Sequence, residues 1–122
     1  MAEQAEYKIR TRYYGEKAYR HHPTVLGERV GKYLAVRDLG YGGWAIDHLP
    51  TGASVVTTLR SRADAMKVAE TIAPLAKWGF RHPTVRDLKS HIPEPVRKYI
   101  VAVREAGKAL PFAERRRRQE RK

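Results

Sequence analysis

Two glycine-bearing turns, Gly40-Tyr41-Gly42-Gly43 and Pro50-Thr51-Gly52, cut the middle of this chain into runs too short for ordinary helices. Each run carries a strand signature. Lys32 to Leu39 alternates, with Leu34 and Val36 on one side and Tyr33, Ala35 and Arg37 on the other. Gly43 to Leu49 alternates again, Trp44, Ile46 and His48 sharing a face. Ser54 to Leu59 is rich in β-branched residues, Val55, Val56, Thr57 and Thr58. Period-two alternation marks a half-buried strand, and glycine supplies the backbone freedom that tight turns need. The spacing therefore predicts a three-stranded antiparallel meander.

Helical spacing takes over next. Ser61 has the chemistry of an N-cap, and Asp64 falls in the first turn, where the helix dipole favours an anion. Ala65, Met66, Ala69, Ile72 and Ala73 recur on one face, and Pro74 removes a donor that a continuing helix needs. One more turn is expected over Leu75 to Trp78. Thr84 to Asp87 has the spacing of a capping box and predicts a short helix ending near His91. Pro95 suits a first helical position, and Val96, Tyr99, Ile100, Val103 and Gly107 form an apolar stripe, with Arg97, Lys98, Arg104 and Lys108 off it.

Before the meander, Tyr7, Ile9, Thr11 and Tyr13 alternate with Lys8, Arg10 and Arg12, the pattern of an edge strand over 7–13. Residues 16–31 show no period and are punctuated by Pro23, Gly27 and Gly31, so they read as a loop with at most a short helical turn. His-Pro-Thr-Val occurs at 22–25 and again at 82–85 on unlike flanks, which points to shared turn chemistry rather than duplication. The expectation is an α+β protein: a small antiparallel sheet of three to four strands packed by an amphipathic helix, followed by C-terminal helices and a basic tail. Its parts are a basic N-terminal segment (1–31), a three-strand-plus-helix core (32–78), a C-terminal helical segment (79–110) and an Arg-rich tail (111–122). The expected core is Leu34, Val36, Trp44, Ile46, Leu59, Met66, Ile72, Tyr99, Ile100 and Val103.

Charge is the strongest functional signal. The chain holds 25 Lys and Arg against 13 Asp and Glu, a formal +12. Residues 1–37 contribute +4, residues 38–113 another +4, and residues 114–122 the last +4. The excess therefore belongs to the whole chain and not only to its tail. From Glu114 on, no side chain offers burial to offset ordering entropy. There is no cysteine, which removes disulfides, thiolate chemistry and cysteine-bearing zinc sites and suits a reducing cytoplasm. Met1 to Tyr14 lacks the apolar run of a signal peptide, and no apolar stretch approaches a membrane span.

No catalytic group is assigned. Asp47-His48 with Ser54 or Ser61 supplies the residue types of a hydrolytic triad, but a triad is defined by geometry, and no nucleophile-elbow pattern is present. Gly40 to Gly43 precedes a strand, not the helix a phosphate loop requires. His21, His22, His48, His82 and His91 show no metal-ligand spacing, and no cofactor is expected. Trp44 reads as a core residue beneath a helix, with a surface stacking platform as the alternative. Tyr7 to Tyr14 reads either as stacking aromatics among phosphate-binding cations or as an edge strand whose charged face discourages aggregation.

Gly42-Gly43-Trp44-Ala45-Ile46, Thr51-Gly52 and Arg62-Ala63-Asp64-Ala65 together resemble small bacterial and phage domains of three strands under one helix. The architecture is similar to the arm-binding domains of phage integrases, which lay three strands in a DNA major groove. The resemblance spans residues 32–72. It implies the strand-and-helix layout and a phage or mobile-element setting, and it carries over no functional residue. Taken with the charge, the sequence points to a non-enzymatic nucleic-acid-binding protein, DNA or RNA. Its phosphate contacts would be Lys8, Arg10, Arg12, Arg97, Lys98, Arg104, Arg115, Arg116, Arg117 and Arg118. The alternative is an inhibitor or accessory factor docking on an acidic protein through the Val96–Val103 helix and the tail.

Overall fold

A computed structural model describes residues 3–9, 24–81 and 90–108. The strands are β1 (Gln4–Lys8), β2 (Thr24–Val30), β3 (Leu34–Asp38), β4 (Trp44–His48) and β5 (Ser54–Leu59). Helix α1 (Arg62–Ile72) follows, then a 3-10 turn (Ala73–Leu75) and helix α2 (Glu94–Lys108). The five strands form one sheet in the order β1-β2-β3-β4-β5, with every neighbouring pair antiparallel.

The α+β class and the meander at β3–β5 agree with the sequence, but the sheet has five strands rather than three or four. The added strand is β2, within the stretch read as a loop. Its sequence, Thr-Val-Leu-Gly-Glu-Arg-Val, breaks alternation with a central glycine and two charges. The first strand also begins earlier than expected, at Gln4 rather than Tyr7. The short helix expected after Thr84 lies outside the described residues except for its end at Ser90 and His91. The tail from Glu114 also lies outside them.

Local chemistry accounts for the turns. Gly40, Gly42 and Gly52 all have positive φ, and the Asp38 carboxylate accepts from the Gly40 N–H at 2.8 Å. Ser61 Oγ caps α1 by accepting from Asp64 N–H at 3.1 Å. Pro74 ends the α-helix, and the Trp78 indole N–H donates to the Ile72 carbonyl at 3.0 Å, satisfying an orphan acceptor at the helix end.

Helix α1 covers one face of the sheet. Ala65, Val68, Ala69 and Ile72 meet Val30, Leu34, Val36, Ile46, Val56 and Leu59. The two alanines are wholly buried and let the helix lie close over the strands. Each fully buried Leu, Ile or Val contributes about 1.5–3 kcal/mol to this layer. Helix α2 adds Val96 and Ile100 from the β5 side. Trp44, Met66 and Val103 are partly buried against this core, whereas Tyr99 is 37% exposed and is not a core residue.

The opposite face has a polar centre. Asp47 is 0% exposed and gathers side chains from three other strands. Its carboxylate accepts from Tyr7 Oη (2.7 Å, β1), from Arg37 Nε (2.6 Å, β3) and from Ser54 Oγ (2.7 Å, β5). Tyr7 reaches it by crossing β2 at Gly27: a Cβ there would lie 2.7 Å from the Tyr7 hydroxyl and 3.0 Å from the Val36 carbonyl. Ala35 and Ala45, both fully buried, keep the same face shallow. Burial, then the bond to Asp47, pushes the Tyr7 pKa far up. Burial opposes the charge on Arg37, but its bonds to Asp47 outweigh that and leave its pKa raised.

Removing the carboxylate leaves a buried guanidinium without its counter-charge, so Asp47→Ala should lower unfolding stability by about 3–5 kcal/mol. Tyr7→Phe should cost less, about 1–3 kcal/mol. Urea unfolding of the two variants checks both values and their order.

Candidate functional site

The sheet separates the cations that the sequence groups together. Lys8 lies on β1, at one edge. Arg97, Lys98 and Arg104 lie on α2, which packs beside β5 at the other edge. Four strand spacings of about 4.8 Å put roughly 19 Å between those edges. Arg10, Arg12, Arg115, Arg116, Arg117 and Arg118 lie outside the described residues.

The three α2 cations have different roles. Arg104 is structural: its guanidinium donates to the Val55 carbonyl at 2.9 Å, and its own carbonyl accepts from Thr58 Oγ1 at 3.2 Å. Val55 sits at a register shift in the β4–β5 pairing, and Arg104 supplies a partner for its carbonyl. Gly107 allows this close approach, since a Cβ there would overlap Thr58. Lys98 is exposed and makes a 3.4 Å surface pair with Glu94, a weak contact that leaves its charge available. Arg97 is half-buried, and its Nε has no hydrogen-bond partner among the described residues.

The triad residue types do not assemble. Asp47 and His48 are adjacent on β4 and point to opposite faces. Ser54 bonds Asp47, and Ser61 caps α1. Among the described residues no three His, Asp or Glu side chains gather as metal ligands. No helix there is long and apolar enough to cross a membrane.

Among the described residues, one concavity has no counterpart in the sequence reading. It lies between the β2–β3 turn and the chain after α1, with a volume of about 730 Å³. Val30 and Leu34 line it from the strands, Ala73, Pro74 and Ala76 from the 3-10 turn and beyond, and Tyr33, Lys32, Lys77 and His91 complete it. Among the described residues no Asp or Glu lines it. The Lys32 ammonium stands 5.6 Å from the centre of the Tyr33 ring. Two short strings, Gly31-Lys32-Tyr33 and Lys77-Trp78-Gly79, each join glycine, lysine and an aromatic. They are the only sequence signal for this site, and nothing local shows that they meet.

The far wall of the cleft is anchored from beneath. His48 is buried, and its Nε2 donates to the Trp78 carbonyl at 2.5 Å. Nδ1 lies within hydrogen-bond distance, 2.8 Å, of Thr51 Oγ1, which accepts from the Ala53 N–H at 3.1 Å. The imidazole also stacks on Phe80 with centroids 4.2 Å apart. The Lys77 N–H donates to the His91 carbonyl at 3.0 Å, tying the same wall to the residues before α2. Burial holds the His48 pKa below its ordinary 6.5, although the bond to Trp78 works the other way.

Comparison with protein-family models, curated proteins and solved structures finds no match to this chain.

Because the folded state disfavours the protonated His48, its contribution is complete above the ordinary histidine pKa. It is lost as pH falls from there toward the depressed value. Thermal melts between about pH 7 and pH 5 should show falling stability. His48→Gln should be less stable at neutral pH and show a shallower decline.

Proposed function

We propose that this protein binds nucleic acid without catalysing a reaction, in the cytoplasm, and that phosphate neutralisation supplies most of its affinity. The observation that carries this reading is the cleft with lysines on both walls and no acidic lining among the described residues, in a chain of formal charge +12. Lys8 and Lys98 supply exposed charge at the two sheet edges. Arg97 offers a half-buried guanidinium, and Arg10, Arg12 and Arg115 to Arg118 add further phosphate contacts. Arg104 contributes least to the contact set, because one arm of its guanidinium donates to the Val55 carbonyl.

A second reading rests on the outer surface of α2. Val101 is half exposed and lies with Glu94, Arg97, Lys98 and Ala102 along a shallow depression of about 420 Å³. Such a mixed surface suits docking on an acidic protein. Binding of a partner that survives nuclease treatment and is lost in Val101→Glu would favour it.

Titration of labelled DNA and RNA oligonucleotides against salt tests the main reading. Affinity should fall steeply as salt rises. Replacing Arg115 to Arg118 with Ala should reduce the log–log slope by roughly 3–4 on duplex DNA. Arg104→Ala should lower the melting temperature and leave that slope nearly unchanged. Absence of binding to both DNA and RNA at low salt would overturn the reading.

A further inference from the structure

We infer that the cleft between the β2–β3 turn and residues 73–79 receives an unpaired base of single-stranded nucleic acid. Lys32 and Lys77 would hold the flanking phosphates. The inference rests on the nucleic-acid reading above and adds to it a location and a preference for strand form.

The walls and the rim make different demands on a ligand. Tyr33, Ala73, Pro74 and Ala76 offer accessible, mostly apolar surface over the buried Val30 and Leu34, which favours a flat, weakly hydrated group. The volume, about 730 Å³, falls within the range of about 300–1,000 Å³ typical of small-ligand sites. The rim carries two exposed ammonium groups and, among the described residues, no carboxylate, which favours an anionic ligand. A nucleotide combines these properties, with an aromatic base for the apolar interior and phosphate for the rim. Tyr33 adds an aromatic ring at the Lys32 side, so a base can stack while the ammonium stays close to the ring and to phosphate.

The concave shape of the site distinguishes strand forms. A base paired within a duplex presents only its edges in the grooves, whereas an unpaired base can leave the stack and enter a pocket. The anchored wall adds preorganisation. The bond from His48 to Trp78 and the bond from Lys77 to His91 hold the chain at 77–78 before any ligand arrives. Less ordering is then required on binding.

The full chain is titrated with a fluorescein-labelled oligothymidylate of about 12 nucleotides and with a blunt duplex of equal length. Ala76→Trp fills the cleft and leaves every charge in place. It should weaken oligothymidylate binding at least tenfold or so and change duplex binding by less than about twofold. Lys32→Glu with Lys77→Glu alters only exposed side chains and serves if the tryptophan variant fails to fold. It should weaken the single strand more than the duplex. With the unaltered protein, 2-aminopurine in place of one thymine should report a change in fluorescence on binding. If Ala76→Trp folds and binds oligothymidylate normally, or the charge-reversed pair weakens both forms equally, the cleft assignment is overturned and the nucleic-acid reading stands. If neither oligothymidylate nor duplex binds the unaltered protein, both fall together.

Discussion

The carboxylate of Asp47 is the point on which the far face of the sheet depends. One buried anion takes hydrogen bonds from β1, β3 and β5 while sitting on β4, so four of the five strands meet at a single group. Its charge is tolerable in the interior because Arg37 is bonded to it and two hydroxyls complete its shell. Strand β1 gains most from the arrangement. At the sheet's edge it has one hydrogen-bonded neighbour, and the Tyr7 hydroxyl fastens it across β2 to the middle of the sheet.

That dependence explains which elements were legible in the sequence. The meander and α1 carry their own instructions in the glycines of the turns, the alternating runs, the Ser61 cap and Pro74. Strand β2 carries almost none. Gly27 looks like a loop residue until Tyr7 is seen lying against it, and Tyr7 is twenty residues away and aimed at a partner on a third strand. A glycine required by a distant side chain is indistinguishable, in the sequence, from one required by a turn. The same limit hid the cleft, whose walls come from residues 30–34, 73–79 and 91.

The basic residues show the converse problem, since their chemistry was plain and their placement was not. Arg97, Lys98 and Arg104 form one group in the sequence, yet one is half-buried, one stands in solvent and one closes a gap in the strand ladder. Arg104 does so because β5 departs from regular pairing at Val55, and no local pattern announces a register shift. Tyr99 fell on the apolar stripe by spacing but lies toward its margin. His48 was one of five histidines without a metal pattern, and only the fold reveals that it anchors the chain at Trp78.

The packing of α2 on β5 has a consequence for reach. Thr58 and Arg60 donate to the carbonyls of Arg104 and Ala106, fixing the last turns of the helix beside that strand. Helix α2 therefore ends along one border of the sheet, while β1 runs along the other. Lys8 on β1 and Lys98 on α2 stand apart like the jaws of a caliper, with the width of the sheet between them. A ligand that touched both would have to span that width, which is more than a mononucleotide or a compact phosphorylated metabolite can reach.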